Sequence, residues 1–64
     1  MTIIRMLTEC FYGGYSVISQ DTMKRKYPQS LIQDAMDSGY ISTCVSEAGT
    51  RQFAITNKGK ELIK

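Results

Sequence analysis

Histidine is absent from the 64-residue chain, cysteine occurs twice and proline once, and no apolar run is long enough to span a membrane. Each scarcity removes a class of function. Without histidine to activate a thiolate, Cys10 and Cys44 are poor nucleophiles, and no cluster of metal-ligating residue types accompanies them. A glycine-rich phosphate loop is missing as well. No cofactor and no metal are therefore expected, and an enzyme is the least supported class. Two cysteines do not make a disulfide framework, so we read them as buried or half-buried thiols, with a Cys10–Cys44 bridge as the alternative. A membrane helix needs about 20 apolar residues. The opening Met-Thr-Ile-Ile is interrupted by Arg5, unlike a signal peptide, so a cytoplasmic protein is expected.

Positive charge is also scarce, since 8 Lys and Arg against 6 Asp and Glu leave a net charge of +2. Its placement is uneven. Between Tyr27 and Thr50 there is no basic residue, only Asp34, Asp37 and Glu47. Attraction to phosphate must come from Lys24-Arg25-Lys26 and from Arg51, Lys58, Lys60 and Lys64. What is present suits a globular chain: 42% hydrophobic residues, 4 tyrosines and 2 phenylalanines. One domain, 1–64, is expected. A chain this short buries only about 60% of the surface that its unfolded form exposes, so modest stability is expected.

Thr2 is a candidate cap for a first helix in which Ile3, Ile4, Leu7, Cys10 and Phe11 recur at three- and four-residue intervals, with Gly13-Gly14 ending it. Tyr15-Ser16-Val17-Ile18 is too brief to decide between a strand and an extended connection. Ser19 or Asp21 then opens a short helix through Lys26. Pro28 disfavours the helical conformation at Tyr27 and fits the first position of a third helix. That helix turns Leu31, Ile32, Ala35 and Met36 to one face and Gln29, Gln33, Asp34 and Asp37 to the other, until Gly39 stops it. Met1, Met6, Met23 and Met36 read as gap fillers. Phe11, Tyr12, Tyr15, Tyr27, Tyr40 and Phe53 read as core and rim rather than as base-stacking platforms.

From Gly39 to Leu62 the pattern is helix stop, β-hairpin and helix start. Ile41, Thr43 and Val45 alternate with polar neighbours, as do Arg51, Phe53 and Ile55, and all six have odd numbers. Placing both sets on one face requires facing residues whose numbers sum to an even value. Glu47-Ala48-Gly49 satisfies this as a three-residue loop with glycine in the left-handed position. Val45 then faces Arg51, Thr43 faces Phe53 and Ile41 faces Ile55. Thr56 or Asn57 caps a last helix that returns Leu62 and Ile63 to the core.

With Ala-Met-Asp-Ser-Gly-Tyr-Ile leading into the hairpin and Phe-Ala-Ile-Thr-Asn-Lys-Gly-Lys-Glu-Leu leading out of it, the chain resembles winged helix-turn-helix domains of small bacterial and phage regulators of the MarR-like and PadR-like groups. The resemblance implies an α+β fold with a three-helix core, a two-stranded wing and a short last helix. It also implies a cytoplasmic transcription regulator that binds double-stranded DNA by occupancy, as a possible homodimer. Ser19 to Tyr27 would be the first helix of the motif and Pro28 to Ser38 the recognition helix. On that footing Gln29, Ser30, Gln33 and Asp34 face base edges, Arg51 reaches phosphate or the minor groove, and Lys24, Arg25 and Lys26 hold the flanking backbone. Two other readings stay open. The basic triplet also suits a solvated helix end that complements the macrodipole, and the whole domain also suits a protein-interaction module whose acidic helix meets a basic partner.

Overall fold

The computed structural model describes residues 2–64, and Met1 lies outside them. In α1 (Ile3–Cys10) the Thr2 hydroxyl oxygen accepts the Arg5 amide at 3.2 Å, the bond expected of a threonine cap. The buried stripe departs from the expected one. Met6 and Leu7 are fully buried whereas Ile4 is 50% exposed. Neighbouring residues stand about 100° apart around a helix, so turning the burial toward Met6 carries Ile4 out to solvent. Met6 and Met23 are full members of the core.

A short 3-10 turn, Tyr12–Gly14, follows with Gly13 at φ 79° and Gly14 at φ 90°. The undecided stretch after it is a strand, β1 (Val17–Ser19). Ser19 occupies the cap position of α2 (Gln20–Lys26) without making a side-chain cap bond. Tyr27 is extended at φ −131° and ψ 149°, as the following proline demands. Pro28 is the cap of α3 (Gln29–Asp37) rather than its first residue. That helix closes with paired bonds from the Gly39 amide to the Met36 carbonyl at 3.0 Å and from the Tyr40 amide to the Ala35 carbonyl at 2.9 Å. Gly39 at φ 81° supplies the left-handed residue that this ending needs.

The hairpin joins β2 (Ile41–Val45) to β3 (Arg51–Ile55). Its register is the expected one: Ile41 faces Ile55, Thr43 faces Phe53 and Val45 faces Arg51. The Gly49 amide closes the turn on the Ser46 carbonyl at 2.9 Å, with Gly49 at φ 84°. β1 pairs antiparallel with the other side of β3, giving the sheet order β1-β3-β2. The Thr56 hydroxyl oxygen then caps α4 (Asn57–Leu62) by accepting the Gly59 amide at 3.1 Å.

The result is a small α+β domain with four helices and a three-stranded antiparallel sheet. Phe53, Met6, Leu7, Met23 and Ile32 are its largest fully buried side chains, drawn from α1, α2, α3 and β3. Leu62 and Ile63 pack against this core as expected. Cys10 and Cys44 are free and half-buried. No described helix is long and apolar enough to cross a membrane.

Candidate nucleic-acid interface

The polar side of α3 is open. Gln29, Ser30, Gln33 and Asp34 are all exposed, while Ile32 and Ala35 anchor the opposite side in the core. Gln33 donates to the Asp37 carboxylate at 3.0 Å, one turn on, which pre-sets its amide along the helix.

Lys24, Arg25 and Lys26 fill the last turn of α2 and are exposed. Positive charge there complements the partial negative charge of the helix end, as Asp21 does at the other end. Buried Met23 and Tyr27 fix the rotation of this turn. The three basic side chains therefore fan out at about 100° intervals, with Lys24 and Lys26 on opposite flanks.

Arg51 is exposed and borders a cleft of about 340 Å³ shared with Gln20, Thr43, Cys44 and Val45. Gln20 ties α2 to the hairpin by donating to the Gln52 carbonyl at 3.3 Å. Gln20 and Lys26 begin and end α2, about 9 Å apart along its axis. Arg51 thus attends one end of this helix and Lys26 the other. Lys58 is engaged elsewhere: it donates to the Ser38 carbonyl at 2.7 Å and stands 5.2 Å over the Tyr40 ring.

Lys26 borders a second groove, of about 550 Å³, with Glu9, Cys10, Tyr12, Tyr15 and Tyr27. Here the Tyr27 hydroxyl donates to Glu9 at 2.8 Å and Arg5 donates to the other carboxylate oxygen at 3.3 Å. The Tyr27 hydroxyl, foremost, holds the Glu9 carboxyl below its ordinary value against some desolvation, with Arg5 and Lys26 adding to the effect. Burial, and then the bond to Glu9, push the Tyr27 hydroxyl above the ordinary tyrosine range. Burial likewise raises the Cys10 thiol, which disfavours the reactive thiolate.

Two aromatic residues depart from the expected packing. Tyr12 and Tyr15 are 77% and 71% exposed, whereas Phe11, Tyr27 and Phe53 are buried and Tyr40 is half-buried. The left-handed pair Gly13-Gly14 lies between the two exposed rings and carries the chain across the surface. A Tyr-Gly-Gly-Tyr stretch is itself the signal of a surface turn, and tyrosine tolerates water at its hydroxyl end. Among the described residues no group of acidic side chains and cysteines is arranged to hold a metal ion. Comparison with protein-family models, curated proteins and solved structures gives no match to this chain.

Proposed function

We propose that the protein is a small winged-helix DNA-binding domain that regulates transcription by occupying a site in duplex DNA, without chemistry. The observation that carries this reading is the uncovered polar row of α3 followed in the chain by a hairpin whose distal half extends beyond the core. The order of elements, with β1 between the first two helices and the hairpin after the third, supports it further. In this reading α3 enters the major groove. Gln29 and Gln33 bond adenine edges, Asp34 accepts from the cytosine amino group, and Ser30 bonds either. Arg51 at one end of α2 and the Lys24 to Lys26 turn at the other contact phosphate, and the acids Asp34 and Asp37 leave those two groups to supply the attraction.

A second reading, a protein-interaction module that does not bind DNA, is favoured by one observation. Tyr12 and Tyr15 are exposed around the groove that contains Glu9 and Lys26, and exposed tyrosines are frequent anchors of protein contacts. Binding to mixed-sequence duplex DNA across a salt series separates the two. DNA binding requires affinity that falls with salt, with a shallower slope in Arg51→Ala and in the Lys24/Arg25/Lys26 triple alanine variant. Absence of binding by the wild type at low salt overturns the DNA reading.

A further inference from the structure

Of the 4 tyrosines and 2 phenylalanines, only Tyr12 and Tyr15 are exposed. They stand three residues apart, and the chain between them is Gly13-Gly14, so no side chain separates the two rings. A Cβ on Gly13 would come 3.9 Å from Tyr15 Cε2, and one on Gly14 would meet nothing within 4 Å beyond its chain neighbours. The Tyr15 ring therefore lies beside bare backbone, with open space over Gly14.

Tyr15 also borders two cavities. One is the groove of about 550 Å³ that holds Lys26, and the other, of about 260 Å³, is shared with Phe11, Ile55, Lys60 and Ile63. The charge left over in both is positive. In the larger groove the Glu9 carboxylate is already taken up, one oxygen by the Tyr27 hydroxyl at 2.8 Å and the other by Arg5 at 3.3 Å. The ammonium groups of Lys26 and Lys60 are exposed and have no hydrogen bond or ion pair among the described residues, and Lys60 is the one charged residue of the smaller cavity. Tyr15 thus has an unpartnered lysine in each cavity that it borders.

We propose that this face binds single-stranded nucleic acid, with bases stacked on Tyr12 and Tyr15 and phosphates drawn to Lys26 and Lys60. Unpaired bases offer the flat faces that exposed rings accept, and the phosphodiester chain carries a negative charge beside each base. An acidic peptide would answer the lysines and leave the rings in water, whereas an apolar peptide would do the reverse. A duplex keeps its bases stacked on one another and presents no free face to the rings. The site is separate from the α3 row and Arg51, none of which borders either cavity. It does not rest on the duplex reading, with which it shares Lys26 alone.

Anisotropy titrations of end-labelled octamers of thymidylate and of uridylate test the proposal. The chain has no tryptophan, so quenching of its tyrosine emission reports stacking directly. Wild type should bind with quenching, and whichever octamer binds more tightly identifies DNA or RNA as the source. Two phosphate contacts predict a slope of log affinity against log salt of about −1.4, reduced to about −0.7 in Lys60→Gln. Tyr12→Leu and Tyr15→Leu should each weaken binding roughly tenfold, whereas Tyr12→Phe and Tyr15→Phe should keep it. Arg51→Ala should bind the octamers as the wild type does, which distinguishes this site from the duplex one. Absence of binding at about 1 mM protein in low salt overturns the proposal. Leucine variants that bind like the wild type do the same, as does octaglutamate that displaces the octamer as well as unlabelled octamer does, which would assign the face to an acidic protein segment. Should a leucine variant not fold, the salt slope and quenching of the wild type decide.

Discussion

The β2–β3 hairpin is buried at one end and bare at the other. On a single face Ile41, Phe53 and Ile55 are 3%, 1% and 8% exposed, whereas Val45 is 66% exposed. Side-chain alternation decides which face a residue takes, but the helices packed against that face decide how far along it burial runs. The root is also tied by polar bonds. Thr56 shares its one hydroxyl proton between the Gly39 and Tyr40 carbonyls at 2.6 and 3.0 Å, and its amide donates to Tyr40 as well. At the tip, the Ser46 hydroxyl accepts the Thr50 amide at 3.1 Å within the turn itself. Stability should therefore reside at the root and tolerance at the tip.

Matched substitutions along the hairpin test this contrast. Phe53→Ala should cost about 3–5 kcal/mol and leave this small domain largely unfolded in a urea titration, while Val45→Ala should stay within about 0.5 kcal/mol. Equal losses at the two positions would erase the distinction between root and tip. Glycine gives the next pair. A Cβ on Gly59 would run into the Tyr40 carbonyl and come within 2.8 Å of Ile55 Cγ1, so Gly59→Ala should cost about 1–3 kcal/mol in thermal melts. At Gly49 the cost is only that of left-handed backbone, about 1 kcal/mol, because nothing lies within 4 Å of the added atom. Thr56→Ala should cost about 1–2 kcal/mol through the lost cap and carbonyl bonds, whereas Ser46→Ala should cost less by the same measurement.

The smallest effect lies away from the hairpin and depends on pH. Because the Glu9 carboxyl is lowered in the folded state, its contribution is present above the ordinary glutamate value of 4.5 and is lost as pH falls through the folded value below it. Tyr27 is raised, so its contribution is present below its ordinary value of 10.0 and is lost as pH rises above it. Tyr27→Phe should move the Glu9 titration, followed by carboxyl-carbon NMR, back toward the ordinary value. An unmoved titration would show that Arg5 and Lys26, rather than the hydroxyl, hold it down.

Local constraints were legible in the amino-acid sequence. Glu47-Ala48-Gly49 and the odd-numbered apolar residues set the same register, and Gly39 ended α3 where a left-handed residue was needed. Features decided by distant packing were not legible. β1 is three residues long, too short for a pattern, and is a strand because β3 offers it a partner. The rotation of α1 that buries Met6 in place of Ile4 depends on which neighbours it meets. Within the candidate interface, exposure of the α3 row followed from its periodicity. The separation of Arg51 from Lys26 by the length of α2 did not, because it rests on the bond from Gln20 to a strand 32 residues away.

The bonds from Thr56 to Gly39 and Tyr40 also close the hairpin into a loop that leaves the core and returns to it at one place. For the chain as a whole, Glu47 to Gly49 is therefore a point of insertion. Doubling the length of such a loop costs only about 0.6 kcal/mol in closure entropy. A short epitope or a fluorophore attachment site placed there should be carried by the fold without disturbing either the helices or the candidate base-reading row.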